Sequence, residues 1–352
     1  MNSLRKLPLL LVALAFVSAA CSSSDAAETT TTEPTTTTNA PTTKAPTTTA
    51  TLPEIAATIN GLPADSEDLV DRRVVGVKID NHPHARPQSG IQQADAVYEV
   101  LVEAGLTRFI ALFHQSDSEY VGPNRSGRPT DVQLMRPLDG VFQISGAQPW
   151  VKDIFAEAGV HVSYDTGATT WRMPHNVAPH NLYTSTLKIR DYADGRGWPD
   201  EAPPPLFAYG NEPTETIGDA TVITFDWSDQ PDPIWKWDGE RYLRFVGSDP
   251  HEWIDADGDS GQISADALVV ITGRKYIKAD PTGQGSSVPT IETTGSGEAL
   301  VFYGGRVLDA KWERASIEDM IRLVDSDDND IVLPPGHIWV NVFPNDRAVT
   351  WE

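Results

Sequence analysis

The chain has 352 residues, a formal net charge of −23 at pH 7 and a single cysteine. An acidic surface repels the phosphates of nucleic acids and anionic lipid head groups, which argues against a nucleic-acid partner. One cysteine forms no internal disulfide, so stability must come from core packing, which a chain of this length can supply.

The chain begins with a secretory signal. Two basic residues precede a mostly apolar run over residues 7–17, and this run is too short to span a bilayer, which takes about 20 residues. Small residues then stand directly before Cys21. The pattern resembles a bacterial lipobox, with Ser18 where such boxes usually carry Leu or Val. We interpret residues 1–20 as a signal peptide and Cys21 as a lipidation site; the alternative is ordinary cleavage near Ala20 that leaves a free thiol.

A threonine-rich segment follows. Residues 29–51 are mostly Thr with interspersed prolines and almost nothing apolar, so they cannot bury enough surface to fold. We therefore expect residues 21–55 to carry the lipidated cysteine on a disordered tether, which reaches on the order of 90 Å at roughly 3 Å per extended residue. These features predict localisation at the cell membrane, with a lipid anchor on the extracytoplasmic face.

A cluster of prolines over residues 199–213 divides the remainder of the chain. We place an N-terminal domain over residues 56–205 and a C-terminal domain over residues 206–352. The predicted fold class is α+β, with a mixed-sheet N-terminal domain that carries helices, followed by a β-rich C-terminal domain.

The N-terminal domain mixes strands and helices. Residues 74–79 read as a buried strand, and residues 89–92 resemble a capping box that opens a short helix. Residues 139–144 read as a further strand. Residues 147–159 are predicted to be helical, because a proline stands in the first turn, where its missing N–H costs nothing.

Residues 94–114 are predicted to form a hairpin that turns at residues 104–105, because their β-branched and aromatic content favours strands. The first half of this segment, taken alone, also fits a helix. In either case Glu99 and Glu103 share a face. In the hairpin Arg108 joins that face as well, which places a cation between two carboxylates.

The C-terminal domain is predicted to be mostly β. Two hairpins are expected, over residues 234–245 with an Asp-Gly turn and over residues 298–312 with a Gly-Gly turn. Residues 265–273 and 337–344 read as further strands.

Polar side chains crowd the end of the first strand. Asp80, Asn81 and His82 stand at its carboxyl end, where sheets with parallel strands open into ligand crevices. Two prolines then fix the directions of His84 and Arg86. A simple turn, with Asp80 and Asn81 bonded to nearby backbone, is the alternative. The density of polar groups favours a binding site.

Two later loops have a similar composition. Arg125 and Arg128 lie among glycines and prolines, which shape a loop and exclude a helix face. Residues 172–183 contain two Pro-His-Asn units, the second of which includes His180 and Asn181. Solvated surface loops are the alternative explanation for both segments.

We predict that these loops converge on one cleft with the start of the helix over residues 147–159, whose free N–H groups favour an anion. Two arginines would then bind phosphate or carboxylate in a bidentate manner. The alternative is that both arginines pair with surface carboxylates. The predicted ligand-binding set is Asp80, Asn81, His82, Arg86, Arg108, Arg125, Arg128, Ser145, Gly146, His180 and Asn181.

Several segments resemble the YerB-like bacterial lipoproteins, a family with an N-terminal and a C-terminal domain of unknown function (domain of unknown function 3048). They are IDNHPHARPQSGIQQADAVYEVLVEAGLTRFIALFH, VGPNRSGRP, GSGEALVFYGGRVLDAKWER and PPGHIWVNVFP. The similarity covers about residues 70–343. It implies a secreted, lipid-anchored envelope protein without an established activity. Family motifs fall, with no role assigned, on Asp80, Asn81, Arg86, Pro87, Glu99, Glu103, Arg108, Arg125 and Arg128.

Metal sites are not predicted. Residues 255–266 are similar to a calcium loop, but Ser260 stands where the loop needs Gly and Asp266 replaces the bidentate Glu, so a polar hairpin turn is the better interpretation. Four histidines and one aspartate offer zinc ligands, but their spacing matches no zinc motif. We therefore expect neither a metal nor a cofactor. These side chains are His82, His84, His175, His180 and Asp80.

The sequence leaves three functions open. The leading one is an envelope-tethered lipoprotein that binds an anionic or glycan ligand, such as a cell-wall polymer, through its N-terminal domain. The second is a hydrolase or transferase acting on a cell-wall glycan or glycopolymer, with Glu99 or Glu103 as acid/base and His180 assisting. The third is a scaffold for another envelope protein. Burial of Glu99 and Glu103 against Arg108 alone would favour a structural ion cluster.

Overall fold

The computed structural model describes residues 56–352, all of which belong to one compact unit. The predicted signal peptide, Cys21 and the threonine-rich tether lie outside the described residues. None of the described helices is long and apolar enough to cross a membrane.

Strands outnumber helices in this part of the chain. The helices of the described residues are α1 Glu67–Val70, α2 Pro129–Met135, α3 Pro149–Glu157 and α4 Thr186–Gly195. The strands are β1 Val75–Asp80, β2 Ala96–Leu101, β3 Thr107–Phe113, β4 Val141–Gln143, β5 His161–Ser163, β6 Thr170–Arg172, β7 Leu182–Thr184, β8 Ala208–Tyr209, β9 Gly218–Asp219, β10 Val222–Phe225, β11 Pro233–Trp237, β12 Tyr242–Val246, β13 Asp249–Pro250, β14 Glu252–Ile254, β15 Ser260–Gln262, β16 Ser264–Ala265, β17 Ala267–Gly273, β18 Lys275–Lys278, β19 Val288–Ile291, β20 Gly295–Tyr303, β21 Arg306–Arg314, β22 Arg322–Val324, β23 Val332–Leu333, β24 Ile338–Pro344 and β25 Val349–Trp351.

One large mixed sheet organises the described chain. Its strand order is β22-β21-β20-β17-β24-β2-β3-β1-β4-β5, with β9 also paired to β21. The β1–β4, β4–β5, β2–β24 and β17–β24 pairs are parallel. The α+β class predicted from the sequence is confirmed, and the sheet takes strands from both segments that the sequence divides at residue 205. The division itself stays a prediction.

A smaller antiparallel sheet, in the order β13-β12-β11-β10-β25 with β16 on β12, packs beside the large one. The large sheet is covered on both faces. Tyr98 and Val100 of β2 face a core that includes α2 and α3, whereas Val97 and Phe109 face a core formed with α4 and the smaller sheet. Strands covered on both faces read as continuous apolar runs, which explains the composition of β1, β2 and β3.

The hairpin over residues 94–114 is confirmed, but the expected side-chain face is wrong. In the antiparallel register Glu99 lies opposite Phe109, and Arg108 lies opposite Val100. Because successive side chains alternate between faces, Glu99 and Arg108 project from opposite sides of the sheet. The predicted cluster of two carboxylates around Arg108 therefore does not form.

Other predicted elements are found with shifted ends. The helix expected over residues 147–159 is α3, and the hairpins at the two glycine turns are β11–β12 and β20–β21. The capping box at residues 89–92 is wrong, because Gly90, in the left-handed region with φ of 79°, precedes a short 3-10 turn, while Ser89 pairs with Gly122. The segment like a calcium loop forms the β14–β15 hairpin turn, where Asp255 accepts the N–H groups of Asp257 and Asp259.

Candidate functional site

Asp80 ends β1 and gathers groups from three loops. It is 3% exposed. Its Oδ2 accepts a hydrogen bond from Nδ1 of His180 at 2.7 Å and lies 3.3 Å from Nε of Arg125. Its Oδ1 accepts the backbone N–H of His82 at 3.1 Å. The structure brings these side chains together, although up to 100 positions separate them in the chain; their role as a binding site stays a prediction.

Three imidazole rings lie beside this carboxylate. His82 and His180 stack with ring centroids 4.5 Å apart, and His84 meets them edge-on at 4.9 and 5.9 Å. One ring nitrogen from each lies within 4.8 Å of the other two. We call His82, His84 and His180 the histidine cluster. His82 and His180 are half-buried and His84 is exposed, so solvent reaches the cluster.

Arg86 extends to the other side of the same loop. Its Nε and Nη2 donate to the side-chain and backbone oxygens of Asn81 at 3.2 and 3.1 Å. No carboxylate lies within ion-pair distance of Arg86 among residues 56–352. Burial lowers the pKa of Arg86 to about 10, with the charge of Arg244 adding to the effect, so the guanidinium stays protonated near neutral pH. It is therefore a half-buried cation that Glu99 and Asp80 attract only from beyond ion-pair distance.

A cavity of about 570 Å³ opens beside Arg86. One wall is aromatic: Tyr120 and Tyr183 stack with centroids 4.4 Å apart and planes 4° apart, and Trp171 stands near them on β6. The turn between β14 and β15, which includes Asp257, lines another part of the cavity. We call this cavity the aromatic cleft. Its other lining residues are Pro87, Met173, His175, Asn176, Ile254, Asp255, Ala256 and Gly258.

Beneath this surface runs a buried polar chain. Both oxygens of Glu99 accept hydrogen bonds from Nη2 of Arg244, at 2.7 and 3.0 Å, and further bonds come from Thr107 and Trp339. Arg244 donates through Nη1 to Nδ1 of His251 at 2.6 Å. Burial and the charge of Arg244 hold the pKa of His251 well below its usual value, so the ring is neutral.

The chain continues to the site through an amide. Nε2 of His251 donates to Oε1 of Gln88 at 2.8 Å, and the amide nitrogen of Gln88 donates to the backbone oxygen of Asp80 and the side chain of Asn81. Glu99 therefore holds the β12 hairpin against the sheet and, at 0% exposure, lies away from the cleft. Asn81 has an internal role as well, since it also donates to Thr107.

The remaining predicted residues form a second group near the carboxyl end of β1. Ser126 and Ser145 approach to 3.3 Å, and Gly127 donates to the backbone oxygen of Gly146. Arg128 binds Glu103 at 2.8 Å, and Arg108 donates to the backbone oxygen of Ser126. Burial opposes ionisation of Glu103, but Arg128 lowers the pKa of its carboxyl by hydrogen bonding and charge. Arg125 pairs with the buried Asp80 and Arg128 with the half-buried Glu103, whereas the alternative interpretation expected surface carboxylates for both arginines.

Asn181 braces its own loop. It accepts from Arg172 and donates to the backbone oxygens of Met173 and Asn176. Asn176 in turn donates to the backbone oxygen of His84 at 2.6 Å, which ties the two histidine-bearing loops together. The second Pro-His-Asn unit thus supplies one side chain, His180, to the Asp80 site.

Sequence reasoning missed the aromatic cleft and the buried chain. Tyr183 and Trp171 border the histidine-rich loop in the sequence, and this position was the available signal for an aromatic wall beside the site. Arg244 and His251 carry no such signal, because a hairpin strand with an arginine and a following histidine is typical of any solvated edge.

Two protein-family domains match the chain. Residues 59–199 match the N-terminal domain of the family described as "Protein of unknown function (DUF3048)". Residues 222–340 match the C-terminal domain of the same family. The Bacillus subtilis (strain 168) protein named "Putative lipoprotein YerB" is 27% identical over 303 residues, which are 84% of this chain and 88% of the relative. The crystal structure of the YerB protein from Bacillus subtilis superposes with a TM-score of 0.72 at 25% identity, over 84% of this chain and 100% of that one.

Proposed function

We propose that this chain, which belongs to the DUF3048 family as the sequence resemblance indicates, is an envelope lipoprotein that binds an anionic oligosaccharide in the aromatic cleft. The observation that carries the proposal is the half-buried Arg86, which has no carboxylate within ion-pair distance in the described chain and opens into a cavity walled by aromatic rings. The ligand class is a glycan with carboxylate or phosphate groups, such as a cell-wall polymer.

The shape and lining of the cleft support a glycan. Its volume of about 570 Å³ falls within the range of about 300–1,000 Å³ typical of small-molecule sites. Aromatic side chains offer large rigid surfaces with polar edges, which suits a sugar ring that has an apolar face and hydroxyls at its rim. Asp257 and His175 supply polar atoms on the cleft wall for those hydroxyls.

Arg86 supports an anionic group at one side of the cleft, apart from the turn that carries Asp255 and Asp257. Arg86 is held in place by Asn81, and a guanidinium fixed in this way binds carboxylate or phosphate with little loss of side-chain entropy. The surrounding protein is strongly acidic, so a free anion would be repelled without such a local cation. Selectivity for an anionic glycan over a neutral one therefore depends on Arg86.

The experiment compares an oligosaccharide that carries carboxylate or phosphate groups with its uncharged counterpart, by calorimetric titration. Trp171→Ala should weaken binding of both by about 10-fold or more. Arg86→Gln should weaken binding of the charged oligosaccharide alone. Trp351→Ala and Arg274→Gln, at exposed positions, are the matched controls and should bind as the parent does. Binding that is unchanged in both cleft variants would contradict the proposal.

The proposed anchor is Cys21. The support is the apolar run and small residues that precede it, together with the printed name of the Bacillus relative. Cys21→Ser should move the protein from the membrane fraction to the soluble extracytoplasmic fraction. If the variant stays in the membrane fraction as firmly as the parent, the proposed anchor is contradicted. The proposal for the cleft does not depend on this result.

A further inference from the structure

We propose that the histidine cluster, supported by Asp80, is a binding site for a divalent transition-metal ion such as Zn²⁺. This goes beyond the glycan cleft, which uses different side chains. It also departs from the sequence-based expectation of no metal, which rested on spacing alone. The spacing of His82, His84 and His180 matches no linear motif, because the third histidine comes from a different loop.

The distances suit a zinc site. The three candidate ring nitrogens lie within 4.8 Å of one another. Tetrahedral coordination at about 2.0–2.1 Å brings such nitrogens to roughly 3.4 Å from each other. Small ring rotations close this difference, and the exposed His84 is free to make them. Three histidines leave the fourth position of the ion open, as in catalytic zinc sites.

Asp80 positions one of the ligands. Nδ1–H of His180 donates a hydrogen bond to Oδ2 of Asp80 at 2.7 Å, which leaves the Nε2 lone pair for a metal. A carboxylate behind a ligating histidine fixes the ring and raises its basicity, an arrangement that recurs in zinc proteins. Asp80 is itself held by Arg125 at 3.3 Å and by the backbone N–H of His82.

The loop around the cluster is held in place before any ion binds. His82 caps the short turn Pro83–Ala85 by accepting the N–H of His84 through Nδ1 at 3.1 Å. This contact is exposed, so water replaces it when the ring turns toward a metal. Asn176 fixes the backbone of His84 to the loop that carries His180. The two ligand-bearing loops are thus already joined.

The electrostatic setting allows a cation. Arg125 opposes one, but its charge is offset by Asp80, with which it forms an ion pair. The net charge of −23 attracts divalent cations to the molecule as a whole. Half-buried and exposed rings also leave a path from solvent. A cluster of imidazoles that only stack on one another is the alternative, and it predicts no metal affinity.

The test is metal binding by the untagged full-length chain carrying Cys21→Ser, which removes a competing thiol. Titration with Co²⁺, followed by its visible absorption and reversed by Zn²⁺ or a chelator, should give one tightly bound ion per chain with a tetrahedral spectrum. His84→Ala and His180→Ala should each lower the affinity at least about 100-fold. Asp80→Asn should lower it about 10- to 100-fold, as expected for a group that positions a ligand.

The matched control is His175→Ala, which removes an exposed histidine from the same loop outside the cluster and should bind the ion as the parent does. Melting temperatures without metal separate loss of ligand from loss of fold, and His84→Ala, at an exposed position, should melt as the parent does. The proposal is overturned if the parent binds Co²⁺ no more tightly than His84→Ala, or if His175→Ala loses as much affinity.

Discussion

At the scale of single residues, the pair formed by Glu99 and Arg244 is buried without any exposure of either side chain. Desolvating both charges is costly, and the cost is met only because nearly every polar atom has a partner. Arg244 also lies 5.4 to 5.7 Å from the ring centroids of Phe109, Trp235 and Trp339, where the ring faces attract a cation. The pair is consequently a structural element and depends on both partners.

Glu99→Gln should lower the free energy of unfolding by about 3 kcal/mol, because it leaves the Arg244 charge buried without an anion. The matched control is Glu292→Gln, since Glu292 pairs with Arg274 on the surface at 43% and 63% exposure and should contribute less than about 1 kcal/mol. Urea denaturation of both variants measures the two losses. Equal losses would show that burial of the pair has no energetic consequence.

Lys78 gives a pH dependence with a definite sign. It is fully buried against Asp131 at 2.5 Å, and burial lowers its pKa from 10.5 to about 8. Between these values the unfolded chain binds a proton that the folded chain does not, so the cost of the buried ammonium declines as pH rises. The free energy of unfolding therefore increases through this window by up to about 1.4 kcal/mol per pH unit. NMR titration of the Lys78 side chain should show a midpoint near 8. A midpoint near 10.4, typical of an exposed lysine, would contradict this.

For single residues, the sequence indicated which side chains matter better than it indicated which side chains they contact. Asp80 and His180 were both expected in the site, because polar residues follow a strand end. The face of the sheet to which Glu99 belongs could not be predicted. Alternation of polar and apolar residues identifies the buried face only when the other face is exposed to solvent, and β2 is covered on both faces. Arg244, which is 145 positions from Glu99, left no local trace of the contact.

At the scale of elements, the β2–β3 turn shows how a hairpin was predictable. Ala104 and Gly105 lie in the left-handed region, with φ of 59° and 71°. Glycine adopts this conformation freely, whereas alanine does so at a cost of about 1–2 kcal/mol. The Ala-Gly pair between two β-branched runs was therefore a readable turn signal. The capping box at residues 89–92 was misleading, because Ser89 is occupied in a bridge to Gly122 and Gly90 precedes the short 3-10 turn at residues 91–93.

Opposite substitutions at this turn should have opposite effects. Ala104→Gly should raise the free energy of unfolding by about 1 kcal/mol, because it relieves the left-handed alanine. Gly105→Ala should lower it by at least as much, since the added Cβ would also lie 2.6 Å from Oγ of Ser228. Thermal unfolding of the two single variants gives the signs. Destabilisation by Ala104→Gly would show that the alanine side chain contributes more than its strain costs.

At the scale of the whole molecule, β24 lies between β2 and β17 in the centre of the large sheet. Residues 96–100 pair with residues 338–342, so strands from the two ends of the described chain share their hydrogen bonds. The sequence predicted both strands but not this pairing. Parallel strands from distant segments are not joined by a short turn, so no local sequence signal indicates that they pair.

A backbone cut between the two predicted domains should leave them associated. We would insert a protease site between Glu201 and Ala202, which are exposed. After cleavage the two fragments should elute together in gel filtration and separate only in denaturant, because the β2–β24 ladder and the Glu99–Arg244 pair cross the cut. An insertion in the exposed turn at Gly283 serves as control for cleavage elsewhere. Separate elution without denaturant would show that the two segments are independent domains.

The central place of β24 also fixes an order of events in time. Ribosomes make the chain from its N-terminus, and β24 follows every strand of the large sheet in the sequence. Until it is made, β2 and β17 each lack a neighbour, and Trp339 is missing from the core around Glu99. Contacts this distant in sequence form slowly and late. The large sheet therefore stays divided between β2 and β17 until β24 is made, and it closes only after synthesis has passed residue 344.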